Sequence, residues 1–216
     1  MEEAMNIEVW SDVVCPWCYI GKRRLDEAVA GFSGRDDVTV VHRAFQLDPT
    51  AVSEGRLTVE VIAVKYGMDL AGAAAMMGNV SEVATSVGLA YQLDETVSGN
   101  TRDAHRLLLW AQDQGKSAEL LEVLYSGYFE FARDIFDIDS LCDLTSEAGL
   151  DPVAARTMLA GTGFIDDVAA DQALAAQFGA TGVPFFVFDR AYGISGAQPL
   201  EAFVATLSKA AEGSPG

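Results

Sequence analysis

Cys15-Pro16-Trp17-Cys18 places two thiols three residues apart, in a chain that has one further cysteine, Cys142. At the start of a helix that spacing lets the pair close a small disulfide. A helix start supplies free backbone N–H groups and the positive end of the helix dipole, and both favour a thiolate over a thiol. The thiolate is the form that attacks a disulfide. The second thiol, one turn along, can then displace the bound partner. The same pair could instead be half of a zinc site. Zinc needs four ligands, and Cys142, His42 and His105 are the other obvious donors. An inert pair is the remaining alternative. The Pro-Trp dipeptide and the strand-to-helix setting favour redox chemistry, so no metal is expected.

Other residues could serve that chemistry. Asp12, three residues before Cys15, could relay a proton to or from Cys18; the alternative is a solvated turn residue. His105 reads as a helix-surface or satisfied core histidine, His42 as a structural one, and Cys142 as a buried inert thiol. Lys22-Arg23-Arg24 reads as the solvated face of a helix. Ser195 and Gly196 precede a helix whose free N–H groups could hold a carboxylate such as that of glutathione; a plain cap is the alternative.

These residues need elements to hold them. Ile7-Glu8-Val9-Trp10 alternates as a strand does. Pro16 suits a first helical position, and apolar residues continue at helical spacing from Trp17 to Val29, with Gly31 and Gly34 as stops. Val38-Thr39-Val40-Val41 is β-branched and predicts a second strand, parallel to the first across the helix. From about Leu57 to about Gly161 nearly every segment reads as helix. Ala104, Leu107, Leu108 and Ala111 mark one apolar face; Leu120, Leu121, Leu124, Tyr128 and Phe131 mark another. Asp151-Pro152 reads as a cap and first position. Then come a helix over 165–178 closed by Gly179, a strand over 183–188, a turn at Asp189-Arg190 and a short strand over 191–194. A last helix starts at Pro199 with Leu200, Phe203, Val204 and Leu207 inward, and Gly213 onward is expected to be a loose tail. The predicted class is α/β. Residues 1–56 and 162–216 form one domain and 57–161 an inserted helical domain.

Composition removes several roles. There are 14 basic and 32 acidic residues, a formal net charge of −18. So acidic a chain repels nucleic-acid phosphates and anionic lipid surfaces. No apolar run approaches the roughly 20 residues of a membrane span. The acidic start lacks the basic-then-apolar pattern of a secretion signal. Three cysteines are too few for a disulfide framework, so the expected compartment is the reducing cytoplasm.

Ser11-Asp12-Val13-Val14-Cys15-Pro16-Trp17-Cys18-Tyr19-Ile20-Gly21-Lys22-Arg23 resembles the opening of the FrnE-like branch of the DsbA family. Asn100-Thr101 with Ala104-His105-Arg106-Leu107, then Gly182-Val183-Pro184-Phe185-Phe186-Val187, then Ile194-Ser195-Gly196-Ala197-Gln198-Pro199 resemble it in the same order. The resemblance implies a thioredoxin fold with a large all-helical insertion, and thiol–disulfide oxidoreductase activity. It implies Cys15 as nucleophile, Cys18 as resolving thiol, Pro184 as a cis proline and the Val183 backbone as a substrate-pairing edge. Trp17 and Asn100 join Val183, Ser195 and Gly196 as substrate-binding candidates. In such a sheet a proline opening the third strand falls beside the first helix start. Trp17 stands where secreted DsbA enzymes usually carry histidine, so strong oxidising power is not implied.

Glutathione-dependent hydroxychromene-carboxylate isomerases and kappa-class glutathione transferases share the architecture, but typically have serine at the position of Cys15. The two thiols here argue against them. A non-redox peptide-binding module is a third reading. No tightly bound cofactor is expected; glutathione or another small thiol would be a co-substrate. Expected partners are thiol- or disulfide-containing proteins or small molecules, with the chain a monomer or homodimer.

Overall fold

The computed structural model describes residues 4–213. The first strand, β1 (Met5–Ser11), sends Met5, Ile7 and Val9 to one face of the sheet and Trp10 to the other. The first helix, α1 (Pro16–Gly31), follows directly, with Cys15 as its cap residue and Pro16 in its first turn. The second strand, β2 (Val38–Ala44), pairs parallel to β1, with Ile7 opposite Val40. Strand, helix and parallel strand therefore form the expected crossover unit.

Six helices follow: α2 (Thr58–Tyr66), α3 (Leu70–Thr85), α4 (Arg102–Gln112), α5 (Ser117–Phe131), α6 (Ile138–Glu147) and α7 (Pro152–Ala160). Asp151 caps α7 as expected, accepting hydrogen bonds from the Val153 and Ala154 N–H groups. The chain then returns through α8 (Ile165–Gln177), β3 (Phe185–Phe188), β4 (Tyr192–Ser195) and α9 (Leu200–Gly213). The sheet order is β2-β1-β3-β4, with β3 antiparallel to both of its neighbours. Asp189 and Arg190, both at positive φ, make the tight turn between the last two strands. Asn6 and Glu8 hold that turn from β1, through Asp189 Oδ1 and the Arg190 guanidinium.

Three apolar clusters bind the layers together. One packs α1 and α9 on the Ile7 face of the sheet. A second packs α8 on the opposite face around Trp10, Phe185 and Val187. The largest joins helices α2 through α7 to Cys15, Cys18, Tyr19 and Ile20 at the start of α1. The inserted helices thus share a core with the cysteine pair.

Several expectations need correction. Phe131, the last residue of α5, and Val204, within α9, were expected inward but are exposed. The strand expected from Val183 begins at Phe185, because Val183 and Pro184 form the bend that enters it. Gly213 belongs to α9, and residues 214–216 of the expected tail lie outside the described residues. Lys22, Arg23 and Arg24 are not a solvated face. Lys22 and Arg23 pair with Glu122 on α5, and Arg24 donates to the Ala197 carbonyl, so the run ties α1 to its neighbours.

Candidate active site at the start of the first helix

Cys15 and Cys18 both carry free thiols on the first turn of α1, 4% and 2% exposed. The Cys15 Sγ–H points to the Val183 carbonyl at 3.7 Å. The Val183–Pro184 peptide bond is cis. Pro184 in turn accepts the Gly196 N–H at 2.8 Å. A Cβ at Gly21 would come within 3.1 Å of both the Pro184 ring and Phe186, so a glycine here lets α1 seat against this bend. Trp17, between the thiols, is 39% exposed and stands at the mouth. Four sequence-flagged residues therefore meet: Cys15, Cys18, Val183 and Pro184.

Cys18 lies deeper. Burial pushes its thiol well above the usual range, and the neighbouring Cys15 adds to that rise; the Asp12 main chain works against it by hydrogen bonding to the sulfur, while the Asp12 carboxylate raises it further. Beneath the thiols sits an aromatic stack that sequence reasoning did not connect to the site. Tyr19 and Tyr125 stack with centroids 4.8 Å apart, and Tyr91 and Phe129 do likewise at 4.8 Å. The Tyr91 hydroxyl donates to the Pro16 carbonyl at 2.8 Å and so braces the dipeptide between the cysteines. Tyr19 follows Cys18 on α1; the other three rings come from α5 and the loop between α3 and α4, and no local pattern marks those three as neighbours of the thiols.

Asp12 is not a solvated turn residue. Its carboxylate is 1% exposed, accepts the Leu47 N–H at Oδ2 (2.8 Å) and meets His105 Nε2 at Oδ1 (3.1 Å). Asn100 faces inward to the protein. It donates to the Pro49 and Ala51 carbonyls and accepts from Gln46 Nε2 and the Arg102 N–H, so its side-chain polar atoms clamp the 46–53 loop onto the start of α4. The Gly196 N–H is committed to Pro184 and is not free to hold an anion, and the Ser195 carbonyl accepts from Gln198 Nε2. Cys142 is buried on α6, and burial raises its thiol. No group of three or more potential metal ligands occurs among the described residues.

Such a site can do thiol–disulfide exchange: one thiol at a helix start, another behind it, and a backbone edge facing the first. The description of a DSBA-like thioredoxin domain matches residues 6–208. The chain belongs to the DsbA-like thioredoxin family. A probable DsbA oxidoreductase from Streptomyces coelicolor is 44% identical, superposes with a TM-score of 0.94, and is matched over 98% of this chain and 92% of its own. An uncharacterised Bacillus subtilis protein, YwbO, is 26% identical over 167 residues, 72% of either chain. A 2-hydroxychromene-2-carboxylate isomerase shares the fold of this DsbA-like chain at 14% identity, with a TM-score of 0.69 over 94% of this chain and 95% of that one. The fold therefore hosts more than one reaction, and the side chains must decide between them. Among the described residues of this family member, no helix is long and apolar enough to cross a membrane.

Proposed function

We propose that this chain is a thiol–disulfide oxidoreductase of the FrnE-like branch, working on disulfides of proteins or small molecules in the cytoplasm. The observation that carries this reading is the pair of free thiols one turn apart, with Cys15 set against the Val183 carbonyl. An isomerase that activates bound glutathione has no need of two protein thiols.

In the reducing direction the Cys15 thiolate attacks a substrate disulfide. One substrate sulfur leaves with the electron pair, and a Cys15–substrate disulfide forms. Cys18 then attacks Cys15 Sγ, the second substrate sulfur leaves as thiolate, and the Cys15–Cys18 disulfide remains. Two electrons and two protons have passed to the substrate. A small thiol such as glutathione returns the pair to its reduced form. Trp17 and the Val183 main chain are the surfaces that an extended substrate meets first. An intracellular setting suits a chain with one redox pair and no disulfide framework.

Reduction of insulin disulfides, with a thiol as electron donor, tests the reading. Cys15→Ser is expected to fall to background. Cys18→Ser is expected to accumulate a mixed disulfide through Cys15, seen by non-reducing mass spectrometry. Cys142→Ser should keep nearly full activity, since that thiol is buried on another helix. Activity surviving in Cys15→Ser would overturn the proposal.

A further inference from the structure

The peptide unit between Pro16 and Trp17 is gripped from one side. Its carbonyl accepts the Tyr91 hydroxyl at 2.8 Å. Its N–H, on Trp17, is one of the orphan donors of a helix's first turn and makes no main-chain hydrogen bond. The donors on either side are spent. The Cys15 N–H bonds the Asp12 carbonyl at 3.0 Å, and the Cys18 N–H bonds the Cys15 carbonyl at 2.9 Å. Cys15 is the cap residue of α1, and a cap side chain ordinarily accepts from the second or third helical N–H, here Trp17 or Cys18. As a thiol Cys15 makes no such bond and points to the Val183 carbonyl instead. A thiolate has no proton to give and needs donors. The open Trp17 N–H is the donor that the cap position offers it.

A trans peptide is planar, with C=O and N–H on opposite edges, so a held carbonyl aims the N–H. Tyr91 is itself held. Its ring stacks on Phe129 at 4.8 Å and lies 6.2 Å from that of Tyr19. Burial, and then the charges of Cys15, Tyr19 and Cys18, push its phenol far up, so the hydroxyl keeps its proton and remains a donor.

We propose that Tyr91, from the segment between α3 and α4, is a positioning residue for Cys15: it holds the Pro16–Trp17 peptide so that the Trp17 N–H donates to the Cys15 thiolate. The inference rests on the redox reading above and deepens it, because it gives the inserted segment a part in the redox equilibrium. A hydrogen bond made to the thiolate is lost when Cys15 joins Cys18 in a disulfide. Tyr91 therefore favours the dithiol form of the pair. Cys18, Tyr91 and Tyr125 feel the Cys15 charge, and burial raises all three, so they stay neutral as Cys15 ionises. The Asp12 carboxylate acts on Cys18 and Tyr125.

Tyr91→Phe removes the hydroxyl and keeps the stacked ring. The pH profile of Cys15 alkylation by iodoacetamide should move up by about 0.7 pH unit, the roughly fivefold effect of one lost hydrogen bond. In glutathione buffers above that inflection, two glutathione molecules reduce the protein disulfide and leave as glutathione disulfide. There the ratio of dithiol to disulfide should fall about fivefold in the variant. Tyr19→Phe is the control for mere loosening of α1. It also removes a hydroxyl that ties α1 to the inserted helices, through Glu122 at 2.6 Å, but one that does not touch the Pro16–Trp17 peptide. Its profile should match the native one. An unmoved profile in Tyr91→Phe, or an equal shift in Tyr19→Phe, overturns the inference. The native protein gives a readout that needs no variant. The Trp17 amide proton resonance should move downfield as Cys15 ionises, and an amide that does not respond overturns the inference too. Oxidised native protein that glutathione does not reduce overturns the redox reading itself, whereas normal reduction with an unmoved profile overturns only the role of Tyr91.

Discussion

Burial gives the two histidines opposite chemical lives. His105 finds a carboxylate, but His42 on β2 is buried with no partner at Nδ1. Burial, aided by the nearby Lys22 charge, lowers its pKa from 6.5 to about 4. A base whose folded pKa is depressed binds its proton more readily when unfolded, so acid favours unfolding. Stability from this group is complete above pH 6.5 and is lost as pH falls toward 4. At pH 4.5 the loss should approach about 2 kcal/mol, since one pKa unit corresponds to about 1.4 kcal/mol. His42→Leu removes the titration and sits on the same apolar face as Val38 and Val40. Urea unfolding at pH 7 and pH 4.5 should show a smaller gap in the variant by about that amount; an equal gap would mean that His42 is protonated in the folded protein. At this scale the sequence was legible where a residue acts through its neighbours along the chain, as Cys15 and Cys18 do. It was not legible where the partner is distant. Nothing near Asp12 announces His105, 93 residues away. Nothing near Asn100 announces the loop that it clamps.

Among the elements, the strands and most helices could be read because apolar spacing and the Pro, Gly and Asp signals agreed locally. Polar ties between elements could not. Arg106 lies in the helical segment that resembles the family, yet its guanidinium is turned inward from α4. It donates to the carbonyls of Met158 (3.1 Å), Leu159 (3.2 Å), Gly161 (2.7 Å) and Gly163 (2.7 Å), and to Asp103 (2.9 Å). These carbonyls belong to the end of α7 and the link into α8, where a helix runs out of its own N–H donors; only Met158 also accepts the Gly161 N–H. One side chain therefore terminates α7 and sets where α8 begins. The placement of α8 matters to the sheet, because Asp171 on α8 accepts the Ala44 N–H and its carbonyl accepts Trp10 Nε1. Arg106→Met keeps the stem but strands the carbonyls and Asp103. It should cost about 3–5 kcal/mol in urea unfolding, as breaking a buried charged network does. Arg106→Lys should recover only a part, because an ammonium cannot reach four carbonyls from one plane. Hydrogen exchange should quicken first over residues 158–165; a uniform loss of protection would mean that Arg106 does not act locally.

The whole molecule presents a field that no single contact reveals. The net charge is −18, and several of its cations are already paired with carboxylates. Lys22 and Arg23 face Glu122, and Arg43 and Arg190 share Glu8. Burial alone would raise Glu8, but the two guanidinium groups hold its carboxyl below the usual range, so that cluster stays compensated. The excess of acidic residues is therefore expected to give a substrate approaching Cys15 a net negative potential. Such fields change encounter rates more than they change the chemical step. A dicationic disulfide such as cystamine should be attacked faster, relative to anionic glutathione disulfide, than the intrinsic reactivities of the two disulfides predict. The excess should be a salt effect. The Debye length shrinks from about 30 Å at 0.01 M salt to about 8–10 Å at 0.1–0.15 M. Raising salt from 10 mM to 150 mM should therefore slow attack on cystamine and speed attack on glutathione disulfide. Their rate ratio should fall by roughly an order of magnitude. Stopped-flow measurement of the attack step with both substrates gives that ratio directly, with the intrinsic reactivities cancelling across salt. A ratio that does not move with salt would show that the charges around Cys15, and not the molecule's total, set substrate choice. A ratio that rises would point to a cationic patch around the mouth of the site. The expected fall favours basic protein segments as substrates and leaves glutathione the slower job of returning Cys15 and Cys18 to their thiol forms.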